Sequence, residues 1–294
     1  MIQRVLKTYK SSGFLGVFRA VRHQFFPSKA KSFSLCEQLL GEGAGLEIGG
    51  PSDVFKATGV LPVYPIIRKL DNCNFSDETT WEGVIDEGMT VQYGEQASVG
   101  RQYIGEASDL NQIESASYDF VLSSHVIEHV ANPLQGLSEW VRVLKKDGIL
   151  VLLVPHKEGT FDHRRPVTPL DHLIEDYQQN ILEDDLTHLE EILELHDLER
   201  DPAAGDFENF KQRSEKNIDN RCLHHHAFNS LLVAQVLSHL NLKILMMEAV
   251  LPFHIIAVAQ KVAPGQTADN KRFVAGKPDY LRSSPFRSDK VADG

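Results

Sequence analysis

The sequence predicts an α/β fold built on a doubly wound, mostly parallel sheet, and three observations lead to it. Short runs rich in apolar and β-branched residues recur: GLEIG (45–49), RKLDN (68–72), RQYIGEA (101–107), YDFVLSS (118–124) and ILVLLVP (149–155). Such runs suit strands covered on both faces. Between the last two lies a punctuated helix, with Asn132 as N-cap, Pro133 at the first position and Leu134, Leu137, Val141 and Leu144 on one face. Lys145 and Lys146 fall in its expected last turn and Gly148 is its stop. Near the end, LKILMMEAV (242–250) and FHIIAVAQK (253–261) flank Leu251-Pro252, which reads as an antiparallel hairpin placing one reversed strand in a parallel sheet.

Three further segments surround this core. Residues 1–40 form a basic amphipathic start, in which Ile2, Val5, Leu6 and Tyr9, then Phe14, Phe18, Val21 and Phe25, fall at helical spacing. Seven Lys or Arg and no acid lie in residues 1–33, so the rest of a chain of net charge −11 carries −18. A leading helix packed on the core or on a partner subunit explains this start, and so does contact with an anionic membrane surface. Residues 156–230, between the fifth strand and the sixth, exceed what one helix needs and are expected to cap the ligand site. Residues 262–294 are polar, lack periodicity and contain Pro264, Pro278 and Pro285, the pattern of a loose tail.

Composition narrows the function. An acidic body disfavours general nucleic-acid binding, which depends on neutralising phosphates. Cys36, Cys73 and Cys222 are odd in number and in no ligand spacing, which excludes a disulfide framework and suits a reducing, cytoplasmic setting. An oligomer is compatible with the sequence.

The stretch GLEIGGPSDVF (45–55) ends the first strand in a loop nearly free of side chains. In sheets of this kind the ligand sits beyond the strands' carboxyl ends, near the first strand. The loop is neither the dinucleotide fingerprint G-x-G-x-x-G nor the phosphate loop G-x-x-x-x-G-K. An adenosine carrying an ammonium group, without phosphate, fits better.

With LEIGG at the first motif, an acidic Asp71 on the second strand, GEASDL after the third, YDFVLSSHVIEHV at the fourth and LKKDGILVLLVP leading through the fifth, the chain resembles class I S-adenosylmethionine-dependent methyltransferases. The resemblance covers residues 40–155 and 224–261, and places the methyltransferase domain at 41–261. It implies a Rossmann-like seven-stranded sheet of order 3-2-1-4-5-7-6 with strand seven antiparallel, in agreement with the hairpin. It also implies S-adenosylmethionine as cofactor. Glu47, Gly49 and Gly50 would line its methionine end, Asp71 its ribose, Asp109 and Leu110 its adenine, and Ser124 its edge at the fourth strand. Two of these acids have simpler readings: Asp71 as a turn cap with Asn72, and Asp109 as a helix N-cap. Pro51 and Asp53 stand where the family's full motif has glycines.

In-line transfer to a hydroxyl needs a base. His125 follows the fourth strand, His156 the fifth, and His163 lies in the cap segment; these are the catalytic candidates. The HVIEH pattern (125–129) is formally that of some zinc peptidases, yet it belongs to the strand-to-helix turn of the family just named. Trp81, Asp162, Arg164, His225 and His226 are the acceptor-side candidates. Of His224, His225 and His226, no more than two are expected to be functional. A divalent metal held by Asp162, His163 and one of these histidines is compatible with the residue types. The expected activity is O-methylation of a sugar or glycan hydroxyl, in the cytoplasm or at the inner face of the membrane. A small natural product or lipid-like molecule is the alternative acceptor, and a cofactor-binding partner subunit without activity is the alternative of another class.

Overall fold

The computed structural model describes residues 29–93 and 98–291, so the amphipathic stretch read in residues 1–28 lies outside the described residues. The elements are, in order, α1 (Phe33–Leu40), β1 (Ala44–Ile48), β2 (Lys69–Asn74), β3 (Glu78–Thr79), β4 (Gly83–Val84), β5 (Gly88–Val91), β6 (Gly100–Ile104), β7 (Tyr118–Ser124), α2 (Pro133–Val143) and β8 (Leu144–Pro155). The cap follows, with α3 (Leu170–Gln179), α4 (Leu189–Leu195), α5 (Phe207–Glu215) and α6 (Asn217–Asn220). Then come α7 (Ser230–His239), β9 (Leu242–Val250), β10 (His254–Lys261), α8 (Lys271–Val274) and α9 (Asp279–Arg282).

The described strands of the main sheet run in the order β5-β6-β2-β1-β7-β8-β10-β9. Without the edge strand β5, this is the 3-2-1-4-5-7-6 order, and β10 is antiparallel to both of its neighbours. The fold is therefore Rossmann-like, of the methyltransferase type. β5 is an eighth strand that residues 88–91 do not announce, pairing antiparallel with β6 at the edge.

Burial on both faces explains the composition of the central strands. Leu150, Leu152 and Val154 of β8 join one core with α2 and α7, while Ile149, Val151 and Leu153 join the other with Cys36 and Leu40 of α1. Adjacent residues on a strand point to opposite faces, so an unbroken apolar run serves both layers. Polar groups are thereby pushed to the strand ends.

The helix before β8 starts as expected, with the Asn132 side chain accepting the Gln135 N–H and Pro133 in the first turn. It ends earlier. Leu144 pairs with Tyr118 and Lys145 donates to the Asp119 carboxylate, so the basic pair expected in the last helical turn lies on the strand.

The C-terminal segment is not a loose tail in its described part. Phe273, Tyr280 and Leu281 enter the first core. Asp289 is buried and accepts from Ser230 Oγ and Ser284 Oγ at 2.6 Å, with His156 Nε2 3.1 Å away. A handful of well-spaced apolar side chains and one satisfied carboxylate hold what composition alone reads as tail. Asp289→Ala strands two hydroxyls and an imidazole inside the protein, at a cost of about 1–3 kcal/mol. Urea denaturation should show that loss, and an unchanged midpoint would mean the segment does not depend on the latch.

Candidate functional site

The strand ends meet at a cavity of about 900 Å³. Its floor comes from Ile48 and Gly49 at the end of β1, Asn74 and Phe75 at the end of β2, Gly105 and Glu106 after β6, and Ser124 and His125 at the end of β7. Its roof is the cap, through Phe161, Glu183, Arg200, Arg221 and His224. Trp81, from the long excursion after β2, closes one side, with its ring 5.3 Å from that of His129.

Gly49 turns the chain with φ +76°, and a Cβ there would come within 2.4 Å of Val126, so only glycine carries the loop past the next strand's turn. Below the loop lies Glu47, which is fully buried and outside the cavity wall. Its carboxylate accepts from the Tyr64 hydroxyl at 2.7 and 2.9 Å, and Tyr64 in turn accepts the Ser52 N–H. Gly50 is likewise engaged from behind, donating to Asn72 Oδ1 and accepting from Asn72 and Asn74. Glu47 and Gly50 therefore brace the loop rather than line the ligand's place.

The acidic residues read for ribose and adenine also lie elsewhere. β2 continues to Asn74, so Asp71 is its third residue and not its end. Its carboxylate accepts the Arg101 N–H and the Tyr118 hydroxyl, both at 2.8 Å. Asp109 is exposed and closes a turn on Asn111, while Leu110 is buried in the core. The carboxylate that does face the cavity after β6 is Glu106, paired with Arg221, whose guanidinium lies over the Phe75 ring. The signal for Glu106 was its place directly after the third strand of the seven.

Of the three catalytic candidates, His125 lines the cavity. Its φ is +56°, its Nε2 lies 3.0 Å from Nδ1 of His254, and burial, helped by His254 and His224, pushes its pKa down to about 3. His156 is fully buried behind the sheet end, stacked on Phe286 and bonded to Asp289. His163 and Arg164 both pair with Asp197 on the cap, outside the cavity wall.

The three adjacent histidines part company. His224 faces the cavity. His225 is bonded to Asn217, and His226 packs between the Ala131 carbonyl and Asp176. The acceptor-side assignments to His225 and His226 are corrected accordingly.

Asp162 stands behind His224, its Oδ2 at 2.5 Å from Nδ1. Burial would raise the Asp162 carboxyl, but His224 and Arg165 hold it down at about 2. Burial would lower the His224 imidazole, yet Asp162 raises it. Next to His224 lies Glu128, fully buried, its Oε2 without a hydrogen-bond partner and its carboxyl pushed up by burial to about 7. The metal set expected from Asp162, His163 and one of His224 to His226 does not form, because His163 is turned to Asp197. Glu128, His129 and His224 are instead close enough to share a cation, with ligand atoms within 4.8 Å of one another.

The wall carries seven carboxyl groups, Asp53, Glu82, Glu106, Glu128, Glu183, Glu199 and Asp201, against two guanidiniums. That balance suits a cationic ligand better than one dominated by phosphate.

Residues 85–152 match the sequence model of a methyltransferase domain. No curated protein sequence matches the chain. Among solved structures, a SAM-dependent methyltransferase from Aquifex aeolicus aligns at 12% identity and TM-score 0.40, covering 82% of this chain and 93% of that one. A didemethyltoxoflavin N1-methyltransferase from Burkholderia thailandensis, bound to 1,6-didemethyltoxoflavin and S-adenosylhomocysteine, aligns at 11% identity and TM-score 0.43 over 89% of each chain. A SAM-dependent methyltransferase from Methanosarcina mazei aligns at 12% identity and TM-score 0.41, covering 78% of this chain and 97% of that one. The sheet order and the matched domain together support a SAM-dependent methyltransferase.

Burial raises the Glu47 carboxyl to about 7, against the lowering effect of its Tyr64 and Ser52 hydrogen bonds. A carboxyl raised in the folded state binds its proton there while the unfolded chain has lost it, so its contribution is whole below about pH 4.5 and is lost as pH rises through about 7. Melting curves should show Glu47→Gln losing less stability than the wild-type protein between pH 5 and pH 8. Parallel curves would place the Glu47 proton elsewhere.

Proposed function

We propose that this protein transfers a methyl group from S-adenosylmethionine to a hydroxyl of a polar acceptor, a sugar or a glycan unit, with the Asp162–His224 pair as general base. The observation that carries the reading is that pair, placed in the roof of a strand-end cavity large enough for more than one ligand. When bound, S-adenosylmethionine supplies an electrophilic methyl group on a sulfonium. Gly49 allows the chain close approach at the first strand, Glu106 offers a two-oxygen acceptor to ribose hydroxyls, and the acidic wall favours the positive charge.

His224 is oriented by Asp162 through Nδ1, which leaves Nε2 to take a hydroxyl proton. A buried carboxylate holding an imidazole in one tautomer is the arrangement that activates hydroxyl nucleophiles elsewhere. Such a base is typically worth ~10²–10⁴ in rate. His125 is the less suited base, because its Nε2 is engaged with His254. Trp81, Phe161 and Phe253 give the acceptor side aromatic faces, while Glu82, Glu199 and Arg200 give it groups for hydroxyls. That mixture supports a sugar over a wholly apolar lipid or a nucleic acid. No described helix is long and apolar enough to cross a membrane; contact of residues 1–28 with a membrane surface remains part of the proposal.

The test is transfer of labelled methyl from S-adenosylmethionine into fractions of the source cell. Label should enter sugars or glycans and survive mild base, as an ether does and an ester does not. His224→Gln should lose about 10²–10⁴ of turnover while calorimetry shows cofactor affinity kept. Label confined to protein or nucleic acid would overturn the acceptor, and full turnover in His224→Gln would overturn the base.

A further inference from the structure

A second group of histidines lies apart from the cavity, where α3, the turn at residues 185–188 and the segment 224–226 meet. We propose that this seam binds a divalent transition-metal ion of the zinc type on His172, Asp176, His188 and His226, and that the ion staples the cap.

His172 and Asp176 are four apart on α3 and so share a face. His172 Nε2 lies 2.8 Å from His188 Nε2 and 3.5 Å from Asp176 Oδ2. His226 brings its Nε2 to 3.5 Å from the same carboxylate oxygen. Four ligand atoms held around one ion at 2.0–2.2 Å stand about 3.3–3.5 Å from each other in a tetrahedron, which the two contacts to Asp176 match and from which the His172–His188 pair needs to part by about half an ångström. The three histidines each offer a nitrogen within 4.8 Å of the others. Three imidazoles and a carboxylate are a donor set for zinc and its neighbours rather than for calcium or magnesium.

A hydrogen-bonded histidine cluster does not account for the same atoms. The contact between His172 and His188 uses one proton, yet Asp176, only 7% exposed, keeps an Oδ2 that is buried without a hydrogen-bond partner. His226, 1% exposed, keeps a buried Nδ1 in the same condition, while its Nε2 lies 3.2 Å from the Ala131 carbonyl. Unpartnered polar atoms at such depth are rare because each forfeits its hydration. A cation would supply the partner that Asp176 Oδ2 lacks, binding His226 through Nε2 in place of the Ala131 carbonyl and leaving Nδ1 outside the ligand set. Asp185 Oδ2 lies 3.6 Å from His188 Nδ1, on the side from which a carboxylate orients a ligating imidazole.

The cap has reason to need a staple. Its separate apolar cluster is small, made of Ile192, Ala204, Phe210 and Leu223 with a few partly buried neighbours. Modules with cores of that size commonly add a metal or a crosslink. The proposed ligands join residues 172, 176, 188 and 226, which span most of the insertion.

The full-length protein, stripped with a chelator and dialysed, should take up zinc in a competition titration with an ion that is retained in His224→Gln, a change in the cavity. His188→Gln and Asp176→Asn should each weaken that ion by at least about tenfold, since even supporting residues of metal sites cost 10–100-fold. Cobalt in place of zinc should give the intense visible bands of a four-coordinate nitrogen and oxygen site. Stripping should lower the melting temperature and zinc should restore it. The proposal is overturned if the stripped wild-type protein takes up neither metal at micromolar concentration. It is equally overturned if the ion is lost in His224→Gln and kept in His188→Gln. Should the seam variants fail to fold, the cobalt spectrum of the wild-type protein decides: an octahedral spectrum or none refutes the site.

Discussion

The guanidinium of Arg165 holds the cap in the arrangement on which the site depends. It is 1% exposed and spends its donors on four acceptors: Asp162 Oδ1, Glu191 Oε1 and the carbonyls of His224 and His225. These come from the start, the middle and the end of the insertion. A buried cation is costly unless it is paired and its protons are taken up, so this one accepts few other arrangements. Asp162 is charged because Arg165 and His224 are beside it, and His224 keeps its tautomer because Asp162 accepts from Nδ1. The direction of the proposed base thus follows from a residue that itself never reaches the cavity.

The sheet supplies the other half of the constraint. Strands apolar on both faces cannot carry chemistry along their length, which leaves their carboxyl ends. Glu47 and Asp71 illustrate the cost of a polar group placed before such an end. Each is drawn into a hydrogen bond with a tyrosine of the neighbouring structure, Glu47 with Tyr64 and Asp71 with Tyr118. Residues at the ends, such as Glu106, Ser124 and His125, line the cavity. The His225 N–H donates to the Glu128 carbonyl, which ties the last stretch of the cap to the turn after β7 and sets His224 beside Glu128.

Strand positions were legible because they follow from local composition, since β7 is YDFVLSS in full and β9 is LKILMMEAV in full, whereas the sheet order came from the family resemblance. The helix after β7 was legible at its start, where Asn132 and Pro133 act through the nearest backbone, but not at its end, where pairing of Leu144 with Tyr118 overrides the pattern of bases before a glycine. The packed segment at 271–290 was not legible either, since Phe273, Tyr280 and Phe286 are too far apart to show a period.

The sequence by itself determined the kind of fold, the strand order its family resemblance implied, the glycine at the turn of the first strand and the presence of a histidine-rich cap. Those properties rest on interactions between residues near in the chain, or on patterns repeated along it. Only the tertiary structure decided which histidine of three faces the cavity, that His156 and His163 do not, and that Glu106 lines it where Asp71 and Asp109 do not. Each of those outcomes depends on a partner distant in the chain, Asp162 for His224 at 62 residues or Asp289 for His156 at 133, and no spacing in the chain records such a meeting.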